Sequence, residues 1–159
     1  MNIFILDLDP AVCARYHVNS HVSKMILESA QLLCTAILHH GGEAQYKQAH
    51  KNHPCAIWAR ETKANFNWLV DLGLELSKEF EFRYQNKHKS AEVIKDCSVK
   101  ASLIPDGELT VFAQAMPDEY KNPDAVTAYR AYYNGAKRKL AKWQPREQPF
   151  WWVKNVTNS

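Results

Sequence analysis

The chain has 159 residues and a formal charge of +3, and its 46% hydrophobic and 11% aromatic content is enough to build one core and too much for a disordered chain. No apolar run reaches the roughly 18 residues that span a bilayer, and Met1-Asn2-Ile3-Phe4 lacks the basic stretch that opens an export signal. Cys13, Cys34, Cys55 and Cys97 form no C-x-x-C pair, so they read as small buried hydrophobes in a reducing, cytoplasmic setting rather than as a disulfide framework or zinc knuckle.

In chain order, residues 2–6 read as a short strand or extended arm that ends at Asp7-Leu8-Asp9-Pro10. Asp9 is a helix cap followed by proline at the first helical position, where its missing N–H costs nothing. Asn19 and Ser20 offer a second cap, and the helix runs to Leu38 or His40 before Gly41-Gly42 stops it. After a polar stretch, Asn52-His53-Pro54 caps a short helix to about residue 60. Thr62 opens a long helix with the apolar stripe Phe66, Leu69, Val70, Leu72, Leu76 and Phe80, ending near residue 84. A smaller helix covers 91–99. Residues 103–121, with Pro105-Asp106-Gly107 and Gln114-Ala115-Met116-Pro117, read as an ordered irregular loop of a length that usually serves function. Asn122-Pro123 opens a last long helix over about 124–143, followed by a tail rich in proline and tryptophan. The expected fold is all-α: a single compact helical domain over 1–159, with a short extended N-terminal arm and an irregular C-terminal tail.

The residues His17, His21, Lys24, Glu28, Gln31 and Thr35 share one face of the first long helix, opposite Val22, Ile26, Ala30, Leu33 and Ile37. One lysine and one glutamate among imidazole, amide and hydroxyl groups suit the wall of a cleft, although every amphipathic helix has a polar side. Lys24, with His21 and Glu28 three and four residues away, is a candidate amine nucleophile with its acid and base. The same Lys24–Glu28 spacing is that of an ordinary surface ion pair. His17 and His21 have a chelating spacing without the glutamate of H-E-x-x-H, so neither metal nor cofactor is assigned.

Asn52, His53, Arg83, His88 and Lys89, together with His17, form a candidate substrate- or phosphate-binding set. Glu79 is spaced to pair with Arg83, either as an exposed ion pair or to hold it toward an anion. Near the C-terminus, Tyr133, Lys137, Arg138, Lys142 and Trp143 combine cations that neutralise phosphates with rings that stack on unpaired bases, which makes them a candidate nucleic-acid surface. Core packing is the other common use of such rings. The chain has no glycine-rich phosphate loop, G-x-S-x-G elbow or zinc-deaminase signature.

Met1-Asn2-Ile3-Phe4-Ile5-Leu6-Asp7, His21-Val22-x-Lys24-Met25-Ile26-Leu27-Glu28-x-Ala30-Gln31, Asn52-His53-Pro54, Arg83-Tyr84 with His88-Lys89-Ser90, and Gln114-Ala115-Met116-Pro117 resemble a family of small phage and bacterial proteins with no established activity. More remotely, the chain resembles the phage-type pyrimidine-dimer DNA glycosylase with AP-lyase activity. The shared features are its size, an arm leading into a long helix with a central histidine (His17), a second long helix, and a basic tyrosine-rich end (Tyr132-Tyr133 with Lys137). This second resemblance implies an α-amine that attacks C1′ of a damaged nucleotide, an assisting carboxylate and a kinked duplex. The chain departs from the pattern in two ways: bulky Asn2 disfavours removal of Met1, and His21, Ser23, Lys24 and Glu28 stand where the family has its glutamate and arginines.

The expectation is therefore a DNA-acting base-excision or base-processing enzyme of the glycosylase and AP-lyase type, in the cytoplasm of a bacterium or phage-infected host. Its partner is DNA, as duplex or extruded base, with no membrane and an oligomeric state the sequence does not specify. The nucleophile is the α-amine of Met1, since such amines titrate near a pKa of about 8 and are partly free at neutral pH, or else Lys24. Glu28 or His21 manages protons. The alternatives are a non-enzymatic accessory protein that binds nucleic acid or a protein through the tail, and an enzyme acting on free nucleotides.

Overall fold

The computed structural model describes residues 1–154, and its centre is a helix buried on nearly every side. Six helices follow in order: α1 (Pro10–Tyr16), α2 (Asn19–His39), α3 (Pro54–Glu61), α4 (Lys63–Tyr84), α5 (Ser90–Ser98) and α6 (Ala125–Asn134). Short 3-10 turns cover Ala101–Leu103, Asp118–Tyr120 and Arg138–Leu140, and there is no strand among the described residues, so the fold is all-α. None of the described helices is long and apolar enough to cross a membrane.

α2 packs against α3, α4 and α5, and α4 also packs against α1. Val22, Ile26, Ala30, Leu33 and Ile37 on one side of α2 are fully buried, and so are Leu32, Cys34, Thr35 and Ala36 around it. A helix this enclosed depends on tertiary packing more than on local propensity. The buried apolar side chains of the arm, α1 to α5, Ile104, α6 and Trp143 form one continuous cluster.

Several helix ends carry the caps their sequences announce. Asp9 accepts from the Ala11 N–H at 2.9 Å, Thr62 from Asn65 at 3.1 Å and Asp124 from Thr127 at 3.2 Å. The start of α2 differs from expectation. Asn19 and Ser20 do not cap it; the chain breaks helix at His17 and Val18, and the Asn19 N–H donates to the Lys142 carbonyl of the tail at 2.7 Å. The irregular segment after α5 does the same for α4. Carbonyls of Pro105 and Gly107 accept from Lys63 and Ala64, while Asn65 and Thr110 bond to each other through both backbone and side chain. These bonds fill donors that a helix N-terminus leaves open.

The last helix is shorter than its pattern suggests. α6 ends at Asn134 rather than near Trp143, with Gly135 as its C-cap and its N–H on the Ala131 carbonyl. A glycine at that place is an ordinary stop signal, and the basic residues after it form a 3-10 turn and an irregular tail that folds back onto α1 and α4. Trp143 donates its indole N–H to the Tyr16 carbonyl at 2.7 Å, and Arg146 reaches Glu79 at 2.7 Å.

Candidate active site

Residues 2–6 run extended over the polar face of α2. Asn2 pins the start of this arm, donating from Nδ2 to the Ala115 carbonyl at 2.9 Å and accepting at Oδ1 from the Tyr129 hydroxyl at 2.8 Å. Ile3, Phe4, Ile5 and Leu6 are then buried, and Phe4 stacks on His21 with ring centroids 4.4 Å apart. The arm thereby turns a polar helix face into the lining of a cleft, with His21 and Glu28 buried and Lys24 exposed; Thr35, farther along the helix, is buried against the Ala49 backbone.

The arm brings an amine to a carboxylate. The Met1 α-nitrogen lies 3.2 Å from Glu28 Oε1, which also accepts from the Asn2 N–H at 3.0 Å. Glu28 keeps only 9% of its side chain exposed, and its other oxygen, Oε2, has no hydrogen-bond partner among the described residues. The Lys24 side chain is 67% exposed and holds Nζ at 3.9 Å from Oε2. Of the two candidate amines, the one at Met1 is thus the nearer to the carboxylate.

These groups border a cavity of about 320 Å³, with Met1 and Phe4 on the arm, His21, Lys24 and Glu28 on α2, His53 ahead of α3, and Tyr132 and Lys137 from the C-terminal side. His53 accepts from the Cys55 N–H at 3.0 Å through Nδ1, so its proton sits on Nε2. Burial pushes the His53 pKa down, and the neighbouring amino terminus and His50 push the same way, so the ring is a neutral donor. Burial likewise pushes His21 down to about 3, with His17, Lys137 and Lys24 adding to it. The cavity therefore offers one carboxylate, the Met1 α-amine, neutral imidazoles and two lysines. That set can hold an anionic or oxygen-rich ligand against a nitrogen nucleophile. Wider clefts of about 480 Å³ and 770 Å³ lie beside α4 and along the tail, but neither gathers a nucleophile with a buried acid or base.

Other residues of the expected site have structural work instead. His17 is fully buried and does not line the cavity; its Nδ1–H donates to the Cys13 carbonyl at 2.7 Å, and burial pushes its pKa down to about 4. Arg83 is not free to bind substrate. With 1% of its side chain exposed, it bonds Glu79 at 2.9 Å, Asn19 at 3.0 Å and the carbonyls of His17 and Arg15. Burial pushes Glu79 up, but Arg146 and Arg83 outweigh it and hold the carboxyl below its usual range. Asn52 is exposed away from the cavity wall, Lys89 is exposed ahead of α5, and His88 accepts from the Ser90 N–H at 3.1 Å to start that helix. Among the described residues no trio of His, Cys, Asp and Glu is arranged to hold a metal ion.

The expected nucleic-acid surface divides in the same way. Tyr133 and Trp143 are buried in the core and present no ring to a base. Arg138 spends its guanidinium on the carbonyls of Asn134, Val153 and Lys154 and lies over the Trp152 ring. Lys137 faces the cavity, 5.0 Å from the centroid of Tyr132, and Lys142 is exposed on the tail cleft. The sequence reading missed Phe4 and Tyr129 as site residues, named Tyr132 only within the tyrosine-rich end, and saw only the bulk of Asn2, not its anchoring bonds. The one signal was Asn2 itself, a lone polar residue opening an apolar arm.

No protein family, curated protein or solved structure matches this chain.

Proposed function

We propose that the protein is a DNA base-excision enzyme of the glycosylase and AP-lyase type, with the α-amine of Met1 as nucleophile and Glu28 as its acid–base partner. The observation that carries this reading is the 3.2 Å approach of the Met1 α-amine to the buried Glu28 carboxylate, both lining one cavity with Lys24 and Lys137.

The ammonium gives up a proton to Glu28, and the free amine attacks C1′ of an extruded nucleotide. A C1′–N bond to the protein forms as the glycosidic bond breaks and the base leaves with a proton. The sugar ring opens to an iminium, whose positive charge the Glu28 carboxylate balances at short range. Loss of a proton from C2′ then expels the 3′-phosphate, and water hydrolyses the iminium to regenerate the amine. At an abasic site the same amine condenses with the sugar aldehyde and releases water. Lys24 and Lys137 hold the flanking phosphates. Burial of Tyr133 and Trp143 removes two tail contacts expected both for this reading and for the accessory-protein alternative, and leaves Lys24 and Lys137 for the strand.

The test is borohydride reduction of the protein with a labelled duplex that carries one abasic site. The expected result is a covalent band whose adduct maps by mass spectrometry to the amino-terminal peptide and is absent after selective acetylation of the α-amine. A band that survives this block moves the nucleophile to Lys24, and no band under any condition removes the reading.

A further inference from the structure

His17, just after α1, and His21, in the first turn of α2, hold their protons on opposite ring nitrogens. His17 Nδ1 meets the Cys13 carbonyl, which can only accept, so the His17 proton is on Nδ1. His21 Nδ1 meets the Tyr133 hydroxyl at 2.7 Å, and that oxygen already faces the Val18 N–H at 3.4 Å. Tyr133 is fully buried, and burial raises its pKa so far that the phenol keeps its proton. Among the described residues His21 Nδ1 is the acceptor within reach of that proton, and a buried hydroxyl hydrogen without an acceptor is costly. Tyr133 therefore donates to His21 Nδ1, and the imidazole proton belongs on Nε2, for which no described residue is an acceptor.

We infer that Tyr133 is a positioning residue that locks His21 as a neutral Nε2–H donor, aimed at an acceptor oxygen of the ligand in the cavity. The Phe4 ring, stacked at 4.4 Å, holds the imidazole plane, and Tyr133 holds its edge. His53 presents its own Nε2–H to the same cavity, so the pair forms a double donor beside the Glu28 carboxylate. The groups around His21 are His17 from α1, Lys24 and Glu28 from α2, the Met1 amine from the arm, His53, and Lys137 with Tyr133 from the C-terminal side. Their cations and the burial together keep the ring neutral through the ordinary pH range. The donor role toward a sugar or phosphate-ester oxygen rests on the proposed function, whereas the tautomer does not.

Long-range proton–nitrogen NMR of the histidine-labelled protein reads the tautomers directly. The expected spectrum shows His21 as Nε2–H and His17 as Nδ1–H, both unchanged from pH 8 to pH 6. His21 as Nδ1–H, or as imidazolium at pH 6, overturns the lock. In Tyr133→Phe, His21 populates both tautomers and begins to titrate nearer neutrality, and kcat on an abasic duplex falls at least tenfold with KM within about twofold. His21→Gln, which retains an N–H donor, keeps more of kcat than His21→Ala; equal losses overturn the donor role. If Tyr133→Phe does not fold, the wild-type spectrum still decides the tautomer. A missing borohydride adduct with the expected tautomers removes the proposed function and leaves the lock; the reverse result removes the lock alone.

Discussion

Acidification from pH 8 to pH 5 is expected to destabilise the protein by about 4 kcal/mol, and two buried histidines set that figure. In the unfolded chain each titrates near 6.5, whereas burial pushes native His17 down to about 4 and His21 to about 3. A depressed native pKa means that the unfolded state takes up the proton first. The stabilisation is therefore complete above 6.5 and is lost as the pH falls toward the native values. At pH 5 both native rings are still neutral while both unfolded rings are charged. Each pH unit below 6.5 costs about 1.4 kcal/mol per ring, so the 1.5 units to pH 5 remove about 2 kcal/mol from each. His53, His88 and His39 are pushed in the same direction and add to the loss. Glu79, held low by its two arginines, keeps its contribution above the ordinary carboxylate range and does not offset it at pH 5. Urea titrations at the two pH values, read by tryptophan fluorescence with the slope checked for constancy, give the difference. A loss of less than about 1 kcal/mol refutes the assignment of both rings as buried and neutral.

The remaining predictions concern the site and its supports. Glu28→Gln is expected to lower single-turnover cleavage of an abasic duplex by about 100-fold while leaving duplex affinity within a few-fold, as gel shift and quench-flow would measure. Lys24→Ala and Lys137→Ala should each reduce the slope of log affinity against log salt by about 1, and unchanged slopes would show that neither touches phosphate. Arg83→Ala leaves Glu79 with Arg146 alone in a buried setting and should cost about 3 kcal/mol in urea melts. If Arg83→Ala instead keeps its stability and loses DNA binding, the assignment of Arg83 to structure is wrong.

The polar stripe on α2 was legible because its chemistry is local: His21, Lys24 and Glu28 are fixed in register by the helix period alone. What covers that stripe was not. Glu28 meets Asn2 across 26 residues, Asn2 meets Tyr129 across 127, and His21 meets Tyr133 across 112. Periodicity holds no information about partners at such separation. The tail was misread for another reason, since Tyr133 and Trp143 look the same in sequence whether they stack on bases or fill a core. Gly135 carries a stop signal for α6 that the expected helix over about 124–143 does not take into account. Arg83 and Glu79 had the right spacing and the wrong environment, because burial by Arg146 and the tail is a tertiary fact.

The anchoring of the arm also sets an order of events during synthesis. The arm leaves the ribosome before its partners Ala115, Tyr129 and Tyr133 are made. A nascent chain stopped before residue 125 has the segments of α1 to α5 but lacks Tyr129, which donates to Asn2, and Tyr133, which meets His21. The proposed nucleophile and its carboxylate are thus translated early and brought to their final geometry late, so prematurely terminated copies lack an assembled site.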